Sequence, residues 1–346
     1  MLQIRNRLTM LGASFLAGAA ILMSGAAYGQ AKAKIAFAHF GTLANPVLAE
    51  TIVPLKNALE ATGNVEVTMH GTGSALSVPN KYSEMVAEGV IDMAFGGQQF
   101  EGGRFPLNVL MGEPFVVDDH VKGSRAYTRL LRSVPELAAE FKPNRLLLVT
   151  LASGEQLHGQ KPLKSIDDLK GMRVMATNPG LQQIIRGVGG SVVALPLTAQ
   201  YENLQKGVVD FVSASWQSTI AFKTMEISSH HFHWDPLMTP TYLIINQKKY
   251  DSLPAEAKKI LDDLGTDEAS MSWSNTWTRI DARAIGEAKA KNHGIVNVTP
   301  DARETIKKRF RQLTETRIAD LDKKGLPARK VFDAILKASD EESQRK

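Results

Sequence analysis

The sequence predicts an α/β fold in two lobes, and three observations support this prediction. A chain of 346 residues is too long for one small domain. Strand and helix patterns alternate along it, which is typical of parallel sheets with crossover helices. Two segments also echo each other, "EMVAEGVIDMAFGG" (84–97) and "NLQKGVVDFVSAS" (203–215), each with a helix, a Gly-Val pair, an aspartate and an apolar strand. This echo favours two lobes of one architecture.

The first 29 residues have the composition of a secretory signal peptide. Arg5 and Arg7 precede an apolar Ala/Leu/Gly stretch, and the segment 27–29 is a small-x-small cleavage site. We therefore expect export, with a retained membrane anchor as the alternative. Removing the two arginines lowers the formal charge from +5 to +3, and the charges alternate in sign, so no nucleic-acid surface is predicted.

Cysteine is absent from the whole sequence. The exported protein must therefore be held together by its apolar core and not by disulfides, as a domain of this size can be. The absence also excludes thiol catalysis and thiolate metal sites.

Residues 30–150 are predicted to form mainly the first lobe. An alternating strand "KIAFAHF" (34–40) is followed by an amphipathic helix that ends at Gly63. A strand from Val65, a short helix and the buried strand "IDMAFGG" (91–97) then complete a βαβαβ unit.

Residues 151–240 are predicted to form mainly the second lobe, with the same rhythm. A strand from Arg145 leads into it, and "MRVMAT", "SVVALPL" and "VDFVSAS" are further strands separated by helices. Residues 241–346 are predicted to supply a crossover strand, a long spanning helix and C-terminal helices. The stretch 255–292 has no proline, which predicts one long helix or two in series across both lobes.

No catalytic constellation is evident. The dinucleotide, P-loop, zinc-protease and hydrolase motifs are all missing. The three histidines of "SSHHFHWD" (228–235) have only Asp235 nearby as a further metal ligand, so we predict packing or ligand contact at a lobe edge and no metal site. Glu101 and Arg104 are interpreted as surface charges and not as a catalytic pair. We predict no catalytic residue and no cofactor; a secreted α/β enzyme is the alternative class.

Several phrases resemble those of periplasmic solute-binding proteins of TRAP transporters, the DctP type. They are "GVIDMAFGG" followed by "GEPFVVDD" (112–119), "KPLKSIDDLKGMRV" (161–174) and "YENLQKGVVD" (201–210), in the right order along the mature chain. The resemblance implies a two-lobed periplasmic binding protein fold with a ligand cleft and a long helix spanning both lobes. It also implies a periplasmic location, a small-molecule solute, and a small and a large integral membrane permease subunit as partners. A receptor domain that presents its ligand to a sensor is a third possibility with the same fold.

The sequence departs from the family pattern at two positions that usually bind the ligand. The family usually pairs the ligand carboxylate with an arginine four residues after the glycine of "DLKG", and that position is Met175 here. A family asparagine falls at Ala214. Because methionine cannot imitate a bidentate arginine–carboxylate pair, we expect a small amine, an amino alcohol or a neutral or aromatic solute. The alternative is an organic acid held by Arg173, Arg186 or Arg104.

The expected cleft is surrounded by candidate ligand-binding residues that combine aromatic, thioether, amide and acidic groups. These are His39, Phe40, Gln98, Glu155, Met175, Leu197, Trp216 and Gln217. An ammonium group over Trp216 would be stabilised by about 0.5–2 kcal/mol, and Met175 would be a soft filler. The alternative interpretations are a packed lobe-edge aromatic for Trp216 and a solvated loop acid for Glu155.

Overall fold

Two β-sheets, one in each lobe, organise the protein. The structure is a computed structural model that describes residues 31–345. The predicted signal peptide (1–29) lies outside the described residues.

The first sheet has the order β2-β1-β3-β10-β4. Its lobe contains β1 (Ala33–His39), α1 (Pro46–Ala61), β2 (Val65–His70), α2 (Tyr82–Glu88), β3 (Met93–Gly97), α3 (His120–Ser133), α4 (Pro135–Ala139) and β4 (Arg145–Ala152). Strand β1 pairs in parallel with both β2 and β3, as the predicted βαβαβ unit requires. Asn45 is the N-cap of helix α1, and its side chain accepts a hydrogen bond from the Val47 amide at 2.9 Å.

The second sheet has the order β11-β9-β5-β8-β6-β7. Its elements are β5 (Gln156–Gly159), β6 (Arg173–Met175), α5 (Pro179–Gly187), β7 (Ser191–Val193), α6 (Gln200–Gln205), β8 (Phe211–Ala214), α7 (Trp216–Ala221), β9 (His230–His233) and β11 (Gly294–Asn297). Strand β6 pairs in parallel with β7 and β8, while β5 is antiparallel to β8 and β9.

The sequence echo corresponds to one structural device that is used in both lobes. Gly89 and Gly207 adopt left-handed conformations, with φ of 75° and 64°, where the chain leaves α2 and α6. The aspartate three residues later then caps the neighbouring strand: Asp92 accepts from the Ala36 amide at 2.8 Å, and Asp210 accepts from the Arg173 amide at 2.9 Å. The echo therefore joins a helix end to a parallel strand in each lobe.

The remaining elements follow the second lobe in the chain, and most of them pack back on the first lobe. They are β10 (Thr239–Ile245), α8 (Gln247–Ser252), α9 (Ala255–Asp262), α10 (Asp267–Ala290), α11 (Pro300–Lys323) and α12 (Ala328–Gln344). Strand β10 inserts antiparallel between β3 and β4. The proline-free stretch forms two helices in series, and the longer one, α10, packs on α1, α3 and β4 of the first lobe and on α7 of the second. Across residues 31–345 no helix is long and apolar enough to cross a membrane.

The two-lobed α/β fold predicted from the sequence is confirmed. Its apolar cores lie on the faces of the two sheets, and α10 contributes to both: Trp273 and Trp277 pack in the first lobe, and Ala284 and Ala288 pack against Trp216 of the second. This arrangement leaves the carboxyl ends of β1, β3, β6 and β8 facing each other across the lobe boundary. Such strand ends are where α/β folds hold small ligands.

Candidate functional site

A cavity of about 60 Å³ lies between the lobes. The first lobe supplies Phe40 after β1, three residues at the end of β3 (Gly97, Gln99 and Phe100), and residues of β4 and β10. The second lobe supplies Glu155, Thr177 after β6, and Leu197. It also supplies five residues at the β8–α7 junction: Ser213, Ala214, Ser215, Gln217 and Ser218. Both lobes therefore enclose one small volume.

Aromatic rings line the first-lobe side of the cavity. Phe40 stacks on Phe95, with ring centroids 5.5 Å apart, and meets Phe100 edge-on at 5.7 Å. Trp277 of α10 lies on the same wall and is 2% exposed. Rings fixed in this way offer an apolar or cation-binding surface to a ligand.

An acid faces the cavity from the second lobe. Glu155 is 6% exposed, and its Oε2 accepts a hydrogen bond from the Ser213 hydroxyl at 2.6 Å. Burial raises the pKa of Glu155 to about 7, because desolvation outweighs the hydrogen bond from Ser213. Glu155 is the only charged side chain among the described residues that line the cavity. The interpretation of Glu155 as a solvated loop acid is therefore wrong, since the side chain is buried.

A second acid stands behind the cavity wall. The backbone N–H of Gln217 donates a hydrogen bond to Asp281 Oδ1 at 2.6 Å. Burial raises the pKa of Asp281 to about 7. The side-chain amide of Gln217 donates to the Ser215 and Ser218 hydroxyls. In the described part of the chain, the side-chain oxygens of Gln217 and Gln99 are buried and have no hydrogen-bond partner. Gln99 and Gln217 thus hold two unsatisfied acceptors close to the cavity wall, beneath its accessible surface.

Four of the eight predicted site residues line this cavity: Phe40, Glu155, Leu197 and Gln217. The structure brings them together from three different loops and from α7. Their contact with a ligand stays a prediction.

The other four lie elsewhere. His39 is buried at the end of β1, with Nδ1 3.5 Å from the Phe40 carbonyl oxygen. Gln98 hydrogen-bonds to the Tyr127 hydroxyl and lines a neighbouring cavity that includes Arg317.

Met175 and Trp216 are packing residues. Met175 is 2% exposed and packs with the apolar side chains of Leu204, Val209 and Val212. Trp216 is 1% exposed, and its ring lies 4.6 Å from that of His231, while its Nε1 donates to His233 at 3.3 Å. For Trp216 the structure matches the alternative interpretation, a packed lobe-edge aromatic. The Met175 thioether lies in the apolar cluster of the second lobe, and the Trp216 indole packs against Ala284 and Ala288 of α10.

The three candidate arginines do not line the cavity. Arg173 Nε pairs with Asp210 at 3.1 Å at the amino end of β6, the end opposite to the cleft. Arg104 donates to the Lys142 carbonyl oxygen at 2.7 Å, and Arg186 is exposed on α5. The described residues thus supply no arginine or lysine to the cavity wall.

The histidine cluster packs in the second lobe, and it includes two histidines that the sequence pattern does not connect with it. His158 Nδ1 lies 2.8 Å from His231 Nδ1, and His231 Nε2 lies 3.0 Å from His293 Nδ1. Burial lowers the pKa of His158 to about 3 and that of His231 to about 2, so both are neutral at ordinary pH. Within residues 31–345 no group of three or more suitable side chains could hold a metal ion.

A comparison of the sequence with known protein families identifies the family of this chain. The profile of the family described as "Bacterial extracellular solute-binding protein, family 7", DctP, matches residues 37–320. The chain belongs to this family. The resemblance to TRAP solute-binding proteins is thereby confirmed, and the family is one of solute-binding proteins and not of enzymes.

Three DctP-family relatives illustrate the similarity. A solute-binding protein of Albidiferax ferrireducens is 26% identical over 209 residues, which are 56% of this chain and 59% of that protein. A TRAP solute-binding protein from Rhodoferax ferrireducens, crystallised with copurified benzoate, superimposes with a TM-score of 0.84 at 19% identity, over 90% of this chain and 98% of that one. A marine metagenome TRAP protein specific for aromatic acids, in complex with 3-hydroxybenzoate, has a TM-score of 0.83 at 21% identity, over 91% and 100%.

Several residues that line the cavity were not predicted from the sequence. Gln99 and Phe100 directly follow the predicted strand "IDMAFGG", and Ser213 and Ser215 end the strand "VDFVSAS". Their position at strand ends was a usable signal. Trp277 had none, because it lies in the middle of a long helix and reaches the cavity only through the packing of α10.

Proposed function

We propose that the chain is the periplasmic solute-binding subunit of a TRAP transporter. It captures a small solute between its lobes and delivers it to a small and a large integral membrane permease subunit, without catalysis. Membership of the DctP family, the interlobe cavity and the signal-peptide pattern support this role. Hinge closure of the lobes around the solute is the mode of capture that two lobes joined by β10 and α10 favour.

We infer further that the solute carries no net negative charge: an amine, an amino alcohol or a neutral compound with an apolar or aromatic body. One observation carries this inference. The only charged side chain on the described cavity wall is the acid Glu155.

The electrostatics follow from burial. A carboxylate ligand placed beside an ionised Glu155 with no cation nearby would leave two like charges desolvated, which costs several kcal/mol. An ammonium group would instead pair with Glu155 and lie near the rings of Phe40, Phe100 and Trp277.

An aromatic acid is the second candidate, because two structural relatives hold benzoate or 3-hydroxybenzoate. In that case Glu155 must be protonated and donate a hydrogen bond to the ligand carboxylate. A pKa of about 7 for Glu155 makes that form accessible at neutral pH. The two candidates therefore predict opposite effects of pH on affinity.

The first prediction tests this sign. Affinities of the mature protein for benzylamine and benzoate are measured by calorimetry at about one pH unit below and above the Glu155 pKa. A cation binder gains affinity as pH rises through about 7, because Glu155 ionises, and Glu155→Gln weakens amine binding at least about tenfold.

The matched control is Glu66→Gln, which removes an exposed acid on β2 and should change neither affinity. Benzoate binding that strengthens as pH falls, and that survives in Glu155→Gln, would establish the aromatic-acid candidate instead. Binding of neither compound would direct the search to a thermal-shift library, where ligand at about 100 times its dissociation constant stabilises by about 2.7 kcal/mol.

A further inference from the structure

A second, larger chamber, which we call the vestibule, adjoins the interlobe cavity. Four side chains belong to both walls: Phe40, Phe100, Thr177 and Leu197. The vestibule has a volume of about 540 Å³, against about 60 Å³ for the inner cavity. The two chambers are therefore unequal parts of one cleft.

The vestibule differs from the inner cavity in chemistry. Beyond the shared side chains it is lined by Leu195, Pro196 and Phe222 of the second lobe and by residues 72–80 of the first. Among the described residues of its wall there is no charged side chain. Polar groups are restricted to hydroxyls and one amide, that of Asn80. The wall suits an uncharged, largely apolar part of a ligand.

Size separates the roles of the two chambers. A cavity of about 150 Å³ is what a benzene molecule occupies in a protein core, and the inner cavity is smaller than that. A compound with a ring therefore does not fit wholly inside it. We propose that the bound solute spans both chambers, with its polar head against Glu155 and its apolar body in the vestibule against Leu195 and Phe222.

Fixed side chains make the vestibule wall a determinant of ligand length. Leu195 packs on the apolar cluster that contains Met175, so the methionine supports this wall from behind. The Phe222 amide donates to the Ser218 carbonyl oxygen at 2.9 Å, and Ser218 also lines the inner cavity. The position of Phe222 is thus tied to that of the polar head site. The identity of the head group rests on the proposed function, whereas the preference for a long apolar body does not.

The test compares matched pairs of probes that differ by two methylene groups. These are phenylethylamine with phenylbutylamine, and phenylacetate with phenylbutyrate, each measured by calorimetry on the mature protein. Because each buried methylene raises affinity about three- to fourfold, the longer member should bind about tenfold more tightly.

Thr198→Trp is the informative variant, since Thr198 is exposed and lines only the vestibule. It should weaken the long probes more than the short ones and so abolish the gain with length. Thr305→Trp, on the exposed face of α11, is the matched control and should keep the gain. Phe222→Ala should reduce the gain.

Equal affinity of short and long probes for the unaltered protein would overturn the inference. So would a Thr198→Trp variant that weakens both lengths equally. Length-dependent binding of the acids alone would support the vestibule and refute the proposed ligand charge. Failure of all four probes would overturn the inference, and the transport role would then rest on the thermal-shift library alone.

Discussion

Each lobe has an aspartate that accepts a hydrogen bond from a strand amide, but the two aspartates pair with different basic side chains. In the first lobe, Asp92 accepts from the Ala36 amide and pairs with Lys249 of α8 at 3.1 Å. In the second lobe, Asp210 accepts from the Arg173 amide and pairs with the side chain of that same residue, and with Lys161. The difference shows that the arginine nearest to the family position is used for the fold, at the amino end of β6 and away from the cleft.

The lobes also divide the chemistry of the cleft. The first lobe, with α10, supplies rings, and the second supplies the acid Glu155 and hydroxyls such as that of Ser213. The apolar residue Met175, which ends β6, supports the second-lobe wall from inside. A cation introduced at this position should therefore act on the core before it acts on a ligand.

The largest expected effect is that of Met175→Arg. The variant buries a guanidinium in an apolar cluster, so the free energy of unfolding should fall by about 3–5 kcal/mol. Met175→Leu, which keeps the volume, should cost less than about 1.5 kcal/mol. Chemical denaturation measures both. A Met175→Arg protein of native stability that gains benzoate binding would show that the side chain faces the cleft after all.

Replacing Asp210 or Asp92 by alanine should lower the free energy of unfolding by a smaller amount. Asp210→Ala leaves the Arg173 amide without its acceptor and two cations unpaired, and should cost about 2–3 kcal/mol. Asp92→Ala removes fewer hydrogen bonds and should cost about 1–2 kcal/mol.

The contribution of Asp210 to stability should also depend on pH. Burial opposes ionisation of Asp210, but hydrogen bonds from Arg173 and Lys161 outweigh it and lower its pKa to about 2. The stability that Asp210 contributes is thus present above its unfolded pKa of about 3.9 and is lost as pH falls towards 2. The stability difference between the unaltered protein and Asp210→Asn should shrink over that interval. A difference independent of pH there would contradict this role.

Much of the fold could be predicted from sequence because its signals are local. Strand alternation, the Gly-Val-x-Asp echo and the proline-free stretch 255–292 depend on neighbouring residues, and the structure has the corresponding elements. The sequence left open whether this stretch forms one helix or two. In the structure α9 ends at Asp262, and no proline marks that boundary.

The site was less predictable because side-chain direction is decided by packing. Phe40 and Leu197 follow strand ends, where the cleft must lie, and they do line it. Met175 and Trp216 also lie near strand ends, but their side chains enter apolar clusters behind the cavity wall. Asp281 and Trp277 become part of the site only because α10 crosses the lobes, which no local pattern shows.

Arg173→Ala should change stability least. Arg173 is 47% exposed in its side chain, and its pair with Asp210 lies at the amino end of β6. Arg173→Ala should therefore lower the free energy of unfolding by at most about 1 kcal/mol, as exposed ion pairs do. Its effect on solute affinity should be negligible, because no part of Arg173 lines the cavity. Calorimetry with whichever probe binds the unaltered protein measures this, with Lys161→Ala as the control at the same aspartate. A loss of affinity confined to Arg173→Ala would mean that β6 presents its arginine to the ligand, and the second lobe would then follow the family pattern from which Met175 separates it.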